Sequence, residues 1–369
     1  MKIAVITRHF ITNYGSLLQT IATQKILGKL GHECEIIDYI RDCELYYNLE
    51  KTLLKRKQKW NKNIFTRTLY LMLRQPFAII SGKKFRKMQL EYLNLTKLYS
   101  NKQKLVEDKP CADIYMTGSD QVWGPISDGT YDDSYLLSFC DDADKKISYA
   151  ASFGHTDMTK DLKEYFYREL SSYDDILVRE TSARKILQEL NLKGSQVLDP
   201  TLLITKEEWE KYIIPTKQKK YILVYQLHND KKLNRYAKKL AKEKNVKLIR
   251  VTASFHQLFR GGKIVLLPDL RRFLTLIRNA ECLVTDSFHG TAFAINLNTQ
   301  FIEILPNNNT GTRNQSILEL TGLSNRILKD ENDFSLYDKK IEYSKVNNII
   351  EQERNNSLEL LKNVISQEK

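Results

Sequence analysis

Residues 1–39 read MKIAVITRHFITNYGSLLQTIATQKILGKLGHECEIIDY, and the order of their patterns decides the fold. Residues 3–7 form a short apolar run bounded by charge, the mark of a strand buried on both faces. Residues 9–14 are a loop, residues 15–30 carry helical pattern closing near Gly31, and residues 34–39 are a second short apolar strand. Strand, helix and strand in this order predict a parallel βαβ unit. Its first loop then lies at the carboxyl end of the first strand, where open α/β sheets hold ligands.

The same pattern continues and then recurs. Short strands are predicted at 113–117, 147–152, 175–178 and 196–198, with helices at 160–170 and 181–190. Asp199-Pro200-Thr201 interrupts the periodicity, and the lysine-rich, Pro-containing stretch 209–220 reads as a connection between domains. A second cycle follows, with strands at 221–226, 247–251, 282–285 and 299–304 and helices at 231–244, 270–279 and 291–297. The expectation is therefore an α/β protein of two Rossmann-like domains facing across a cleft. The first domain covers 1–210 with a basic helical insertion at about 45–109, and the second covers 218–335. A C-terminal helix within 340–369 is expected to pack back on the first domain.

The 369 residues suit two domains, and 42% hydrophobic with 28% charged residues excludes a disordered or fibrous chain. The five Cys form no CxxC pair, which points to free thiols in a reducing compartment and a cytoplasmic protein. The opening apolar run is too short for a signal peptide, and no window approaches the roughly 18 apolar residues of a membrane span.

Charge is uneven. Residues 51–109 hold sixteen Lys and Arg against Glu91, Glu107 and Asp108, a surplus equal to the whole-chain value of +13. Confinement to one segment argues against a nucleic-acid-binding protein and for one local partner. Within it Phe65, Leu69, Met72, Leu73, Phe77 and Ile80 recur at helical spacing beside Lys62, Arg67, Arg74, Lys83 and Lys84. The plainer expectation packs this stripe on the core with the lysines in water. The sharper one is an interfacial helix that touches an anionic membrane through residues 51–87.

Chemistry concentrates at strand ends. In Leu283-Val284-Thr285-Asp286-Ser287-Phe288-His289-Gly290-Thr291-Ala292 an apolar strand runs into a polar turn, then a glycine and small residues that open a helix. An anion there meets backbone N–H groups and the positive end of the helix dipole, while His289 donates a hydrogen bond or transfers a proton. Asn13-Tyr14-Gly15-Ser16 opens the first helix. Gly118-Ser119-Asp120-Gln121-Val122-Trp123 combines carboxylate, amide and aromatic groups suited to a sugar, or equally a capped turn anchored by a core Trp. Arg179 follows a strand and suits a bidentate clamp on carboxylate or phosphate. No GxGxxG follows a strand, and no P-loop, HExxH or paired-Cys motif occurs, so nicotinamide, P-loop and zinc chemistry lack support. The Asp142-Ala143-Asp144 pair matches a loose cation-binding pattern but lies in the very polar run Cys140 to Lys146, where acidic pairs arise by chance, and it is not taken as a metal site.

Taken together and in order, these segments resemble the polysaccharide pyruvyl transferase family. The matching pieces are Asn13-Tyr14-Gly15-Ser16, Thr117 to Trp123, Ser148-Tyr149-Ala150-Ala151-Ser152-Phe153-Gly154, Val178-Arg179-Glu180, Leu198-Asp199-Pro200-Thr201 and Thr285 to Gly290. The resemblance implies a glycosyltransferase-B-like architecture and transfer of the enolpyruvyl part of phosphoenolpyruvate onto two hydroxyls of a sugar, with no metal or organic cofactor. It makes His289 and Arg179 the catalytic pair, with Ser287, Gly290, Thr291 and Arg313 on the donor side. Arg313 stands where some members have Lys. Asn13, Tyr14, Ser119, Asp120, Gln121 and Trp123 are expected on the acceptor side. The acceptor is an oligosaccharide or a polyprenyl-linked sugar, and the setting is the cytoplasm, at the inner face of a membrane where the acceptor is lipid-linked. Two other functions fit the same architecture: a glycosyltransferase using a nucleotide sugar, and a non-catalytic carbohydrate-binding or assembly protein.

Overall fold

The computed structural model describes residues 1–216, 220–306 and 311–367. It divides into two compact units, residues 1–200 with 359–369, and residues 201–358.

The first unit opens with β1 (Lys2–Ile6), α1 (Tyr14–Lys29) and β2 (Glu33–Ile36). Three helices follow, α2 (Leu49–Lys55), α3 (Ile64–Tyr92) and α4 (Lys102–Glu107). The sheet resumes with β3 (Ile114–Thr117) and β4 (Lys145–Ala151). The remaining elements are α5 (Lys160–Leu170), β5 (Asp175–Val178), α6 (Thr181–Glu189) and β6 (Ser195–Gln196). The strands form one parallel six-stranded sheet in the order β2-β1-β3-β4-β5-β6. Ile3, Ala4, Val5 and Ile6 are fully buried, as strands covered on both faces require. The chain reverses its direction of growth beside β1, so the topological switch point lies between the carboxyl ends of β1 and β3.

The second unit takes over within α7 (Pro200–Leu203) and continues through α8 (Lys206–Glu210), β7 (Tyr221–Tyr225), α9 (Lys231–Glu243) and β8 (Lys247–Thr252). Next come β9 (Lys263–Leu266), α10 (Leu270–Arg278), β10 (Cys282–Thr285) and α11 (Phe288–Asn296). The chain closes with β11 (Phe301–Glu303), α12 (Thr312–Leu320), α13 (Ser335–Asp338) and α14 (Tyr343–Ser366). Its five parallel strands run β11-β10-β7-β8-β9, with the switch point between β7 and β10.

Three differences from the sequence expectation have physical causes. The first unit ends at Pro200 rather than 210. The Thr201 carbonyl accepts from both Trp209 Nε1 (2.9 Å) and Asn296 Nδ2 (2.8 Å), which ties residues 201–209 to α11. Strand β9 and helix α12 were not predicted: β9 is a half-exposed edge strand behind Gly261 and Gly262, both at positive φ, and its alternation is weak. The stripe on α3 does not face the core. Phe65, Leu69, Met72, Leu73 and Ile80 are exposed, and the helix packs inward through Tyr70, Ala78, Phe85 and Met88. No helix among the described residues is long and apolar enough to cross a membrane. Residues 359–367 of the C-terminal helix and its end belong to the first unit, where the Lys145 ammonium donates to the carbonyl of Ile365 at 3.2 Å.

Candidate functional site

At the switch point of the first unit the loops after β1 and β3 are bonded together. Thr7 Oγ1 donates to the Ser119 carbonyl at 2.7 Å, and Gln19 Nε2 donates back to Thr7 Oγ1 at 3.1 Å. Asn13 caps α1, its Oδ1 accepting from Gly15 N at 2.8 Å. Asp120 holds a backbone φ of 87°, a conformation costly for a non-glycine residue and frequent at functional sites. Its carboxylate accepts from Ser16 Oγ (2.6 Å) and from the backbone of Gln121 (2.9 Å).

Arg179 sits behind this turn, 4% exposed. Its Nη1 donates to Asp199 Oδ2 at 2.9 Å, its Nε lies 3.4 Å from Glu180 Oε2, and Asp120 lies 3.7 Å from Nη2. Ser119 Oγ joins the same Asp199 oxygen at 3.0 Å, and Ser152 Oγ holds Glu180 at 2.5 Å. Burial opposes the charge, but Asp199, Glu180 and Asp120 outweigh it and hold the guanidinium above its ordinary pKa. The sequence suggested an open anion clamp; the structure shows a cation enclosed by three carboxylates.

Two acceptor-side expectations are also corrected. Trp123 is 2% exposed and packs on Phe153 with ring centroids 4.9 Å apart, so it is a core residue and offers no face to a sugar. Tyr14 is fully buried against Phe85, 5.0 Å between centroids. Gln121 is half-buried, its amide 3.4 Å from the Gly154 carbonyl.

Sequence reasoning missed a second group beside this loop. His9 is fully buried, with Nε2 3.0 Å from Asp38 and Nδ1 3.2 Å from the Thr7 carbonyl. Arg86 on α3 grips the same Asp38 with both Nη atoms, one at 2.9 Å. Burial pushes the Asp38 carboxyl up, but the His9 and Arg86 hydrogen bonds outweigh it and hold it below the usual carboxylate range. A cavity of about 290 Å³ opens here, walled by Arg8, Phe10, Thr12, Tyr46, Arg86 and Gln89 among others. The signal was available: Arg8 and His9 directly follow the first strand.

In the second unit, β10 feeds α11 through Asp286 and Ser287. Ser287 is the N-cap, its Oγ accepting from Gly290 N at 3.2 Å. Helix α11 begins at Phe288, three residues earlier than expected, so His289 sits in its first turn, 4% exposed and edge-on to Phe288. A Cβ on Gly290 would meet Thr285 Oγ1 at 2.5 Å, which is why only glycine lets this turn close onto β10. Asp286 anchors the loop after β7, accepting from Leu227 N (2.7 Å) and His228 N (3.0 Å). Thr291 and Asn314 both donate to the buried Glu303 at the end of β11, Asn314 at 2.6 Å. Glu303 thereby joins the His289 helix to α12, whose first turn carries Arg313. Burial pushes the Glu303 carboxyl up to about 8, against the opposing hydrogen bonds. Residues 307–310, which precede Arg313, lie outside the described residues.

Unforeseen in the sequence was Arg250 in β8, fully buried and bonded among the described residues to amide oxygens: Gln226 (3.2 Å), Gln257 (3.2 Å) and Asn234 (2.8 Å). Arg260 shares Gln226 at 3.0 Å and donates to the Asp230 carbonyl at 2.7 Å. Burial first, and Arg260 second, push the Arg250 guanidinium down to about 10.

The whole chain superimposes on distant two-domain enzymes of the glycosyltransferase-B type. UGT89C1 of Arabidopsis thaliana, solved with quercetin, is 8% identical with a TM-score of 0.51, covering 98% of each chain. A putative UDP-N-acetylglucosamine 2-epimerase of Listeria monocytogenes is 10% identical with a TM-score of 0.50, covering 97% of this chain and 90% of that one. Similarity at this level shows the fold, and the fold is α/β and glycosyltransferase-B-like. No curated protein matches the sequence. The family profile of polysaccharide pyruvyl transferase matches residues 13–309, from the cap of α1 to the approach to α12, and the chain belongs to that family.

Proposed function

We propose that this transferase moves the enolpyruvyl group of phosphoenolpyruvate onto two hydroxyls of one sugar in an oligosaccharide or its polyprenyl-linked precursor. The products are a cyclic ketal and inorganic phosphate. The match to the pyruvyl transferase family over residues 13–309 carries this reading.

Adding an alcohol to C2 of phosphoenolpyruvate requires a proton at C3 and removal of the hydroxyl proton. The second hydroxyl then displaces phosphate at C2, and its proton leaves on the released phosphate. His289 is assigned as the acid that protonates C3 and the group through which the hydroxyl proton leaves. The N-terminus of α11, with Ser287, Gly290 and Thr291, and Arg313 on α12 receive the donor's negative charge. Being an arginine, Arg313 binds charge and does not supply the proton. Arg179 is the first unit's fixed cation, kept ionised by its carboxylates. Asp120 and Asn13 accept hydrogen bonds from the acceptor's hydroxyls, and the 290 Å³ cavity lined by Arg8, Thr12 and Arg86 offers room for a sugar or its attachment. The reaction needs no metal or organic cofactor, so a chelator is expected to leave the rate unchanged. We place it in the cytoplasm.

The test is phosphate release from phosphoenolpyruvate against a panel of oligosaccharides, with product mass rising by one pyruvate less one water. His289→Ala is expected to lower kcat by roughly 10²–10⁴-fold with folding intact. Near-normal turnover in that variant would remove the acid assignment. Calorimetric binding of nucleotide sugars in place of phosphoenolpyruvate would turn the reading to a glycosyltransferase.

A further inference from the structure

We propose that the outward face of α3 docks on the surface of an anionic lipid bilayer. The inference rests on the first unit alone and does not depend on the identity of the donor or acceptor.

Helix α3 is fixed to its unit from one side. Tyr70 donates to Glu50 at 2.5 Å, Phe85 and Met88 are buried, and Gly82 lies so close to Tyr46 that a Cβ there would stand 2.2 Å from the tyrosine's own Cβ. The apolar residues on the other side therefore have no route into this core. At about 100° per residue, positions 65, 69, 72, 76 and 80 fall within about 80° of arc. They are Phe65, Leu69, Met72, Pro76 and Ile80, and Phe65, Met72 and Ile80 are 74%, 70% and 61% exposed. Ile64 and Leu73 flank them at 81% and 51%. The same face continues into Lys83, Lys84 and Lys87, all exposed, and Lys59 and Lys62 stand exposed before its start. Among the described residues none of these five lysines makes an ion pair.

A contiguous apolar face of this extent marks a contact surface, and its charge selects the occupant. A two-fold pair of such faces would bring together two copies of the segment that holds the chain's whole surplus of +13, which opposes self-association. A convex helix with apolar residues along its crest and lysines around it matches an anionic headgroup layer, with apolar side chains entering the acyl boundary and ammonium groups remaining among phosphates.

The full chain is sedimented with vesicles of phosphatidylcholine alone and of equimolar phosphatidylcholine and phosphatidylglycerol. Binding to the anionic vesicles is expected to exceed binding to the neutral ones by about ten-fold or more and to fall as salt is raised. The triple variant Phe65→Ser, Met72→Ser, Ile80→Ser, altered only at exposed positions and checked by its thermal midpoint, is expected to lose at least about ten-fold in bound fraction. Lys83→Glu with Lys84→Glu and Lys87→Glu should abolish the anionic preference. Equal binding to both vesicle types, or binding unchanged by the serine triple, overturns the proposal. A dimer in light scattering that the serine triple dissociates overturns it in favour of a second copy. Turnover on a water-soluble acceptor should be unaltered in the serine triple, which separates failure of docking from failure of the transfer chemistry.

Discussion

Arg179 in the first unit and Arg250 in the second are both buried near strand ends, at 4% and 0% exposure, and they keep opposite company. Arg179 faces Asp199, Glu180 and Asp120, so its surroundings carry more negative charge than it supplies. Arg250 is bonded to neutral amide oxygens, with Asp286 acting on both it and Arg260 and Asp230 on Arg260, so two guanidinium groups meet two carboxylates where Arg179 alone meets three. Each arrangement suits a different ligand. An excess of carboxylates repels an anion and leaves Asp120 to accept hydrogen bonds from a neutral polyol, whereas guanidinium groups less completely paired draw an anion. The contrast favours the proposed assignment of the sugar to first-unit groups and of the anion to second-unit groups.

The largest expected effect is on stability. Arg179→Met leaves three buried carboxylates without their cation and is expected to cost about 3–5 kcal/mol in urea denaturation. Arg250→Met removes a cation that is itself poorly compensated and leaves amide oxygens unpaired, an expected cost of about 1–2 kcal/mol. A larger loss from Arg250→Met would break the comparison.

Glu303 offers a pH-resolved version. Its folded pKa of about 8 lies above the ordinary 4.5, so the folded state binds a proton that the unfolded chain has released. Stability from this group is therefore full below pH 4.5, falls as pH rises towards 8, and is level beyond. Glu303→Gln should remove that slope, so the variant gains on the parent across this window by up to a few kcal/mol. Denaturation at a series of pH values reads it, and parallel profiles for both proteins would show Glu303 to be ionised in the fold.

The smallest effect sharpens the anion assignment. Phosphoenolpyruvate is expected to raise the thermal midpoint, and Arg260→Ala to weaken its binding by about 1–2 kcal/mol, more visibly at low salt. Titration calorimetry checks this, and an unchanged affinity would confine the donor's charge to the α11 N-terminus and Arg313.

Both sheets were legible because parallel strands buried on two faces read as apolar runs, and KIAVI and CLVT are such runs. The turn around His289 was legible because Ser287 and Gly290 have single local duties, capping and close approach. Side-chain burial was not. Trp123 and Tyr14 have the chemistry of sugar contacts, and only the packing of Phe153 and Phe85 sends them inward. Helix α3 misled for a related reason: it is apolar on two faces, so periodicity alone does not say which one enters the core. Arg250 did leave a trace, as a charge flanked by Ile249 and Val251 in the middle of the strand KLIRVT, where burial forces amide partners to be recruited from Gln226, Asn234 and Gln257.

The passage of α14 from the second unit into the first bears on how the chain reaches its folded state. Leu361, Val364 and Ile365 are buried in the first unit, beside the Lys145 bond to the Ile365 carbonyl. During synthesis the amino-terminal sheet emerges early, yet the piece that completes it follows the whole second unit off the ribosome. Its docking is therefore a late step, and the first unit waits, incompletely covered, for the second to be made.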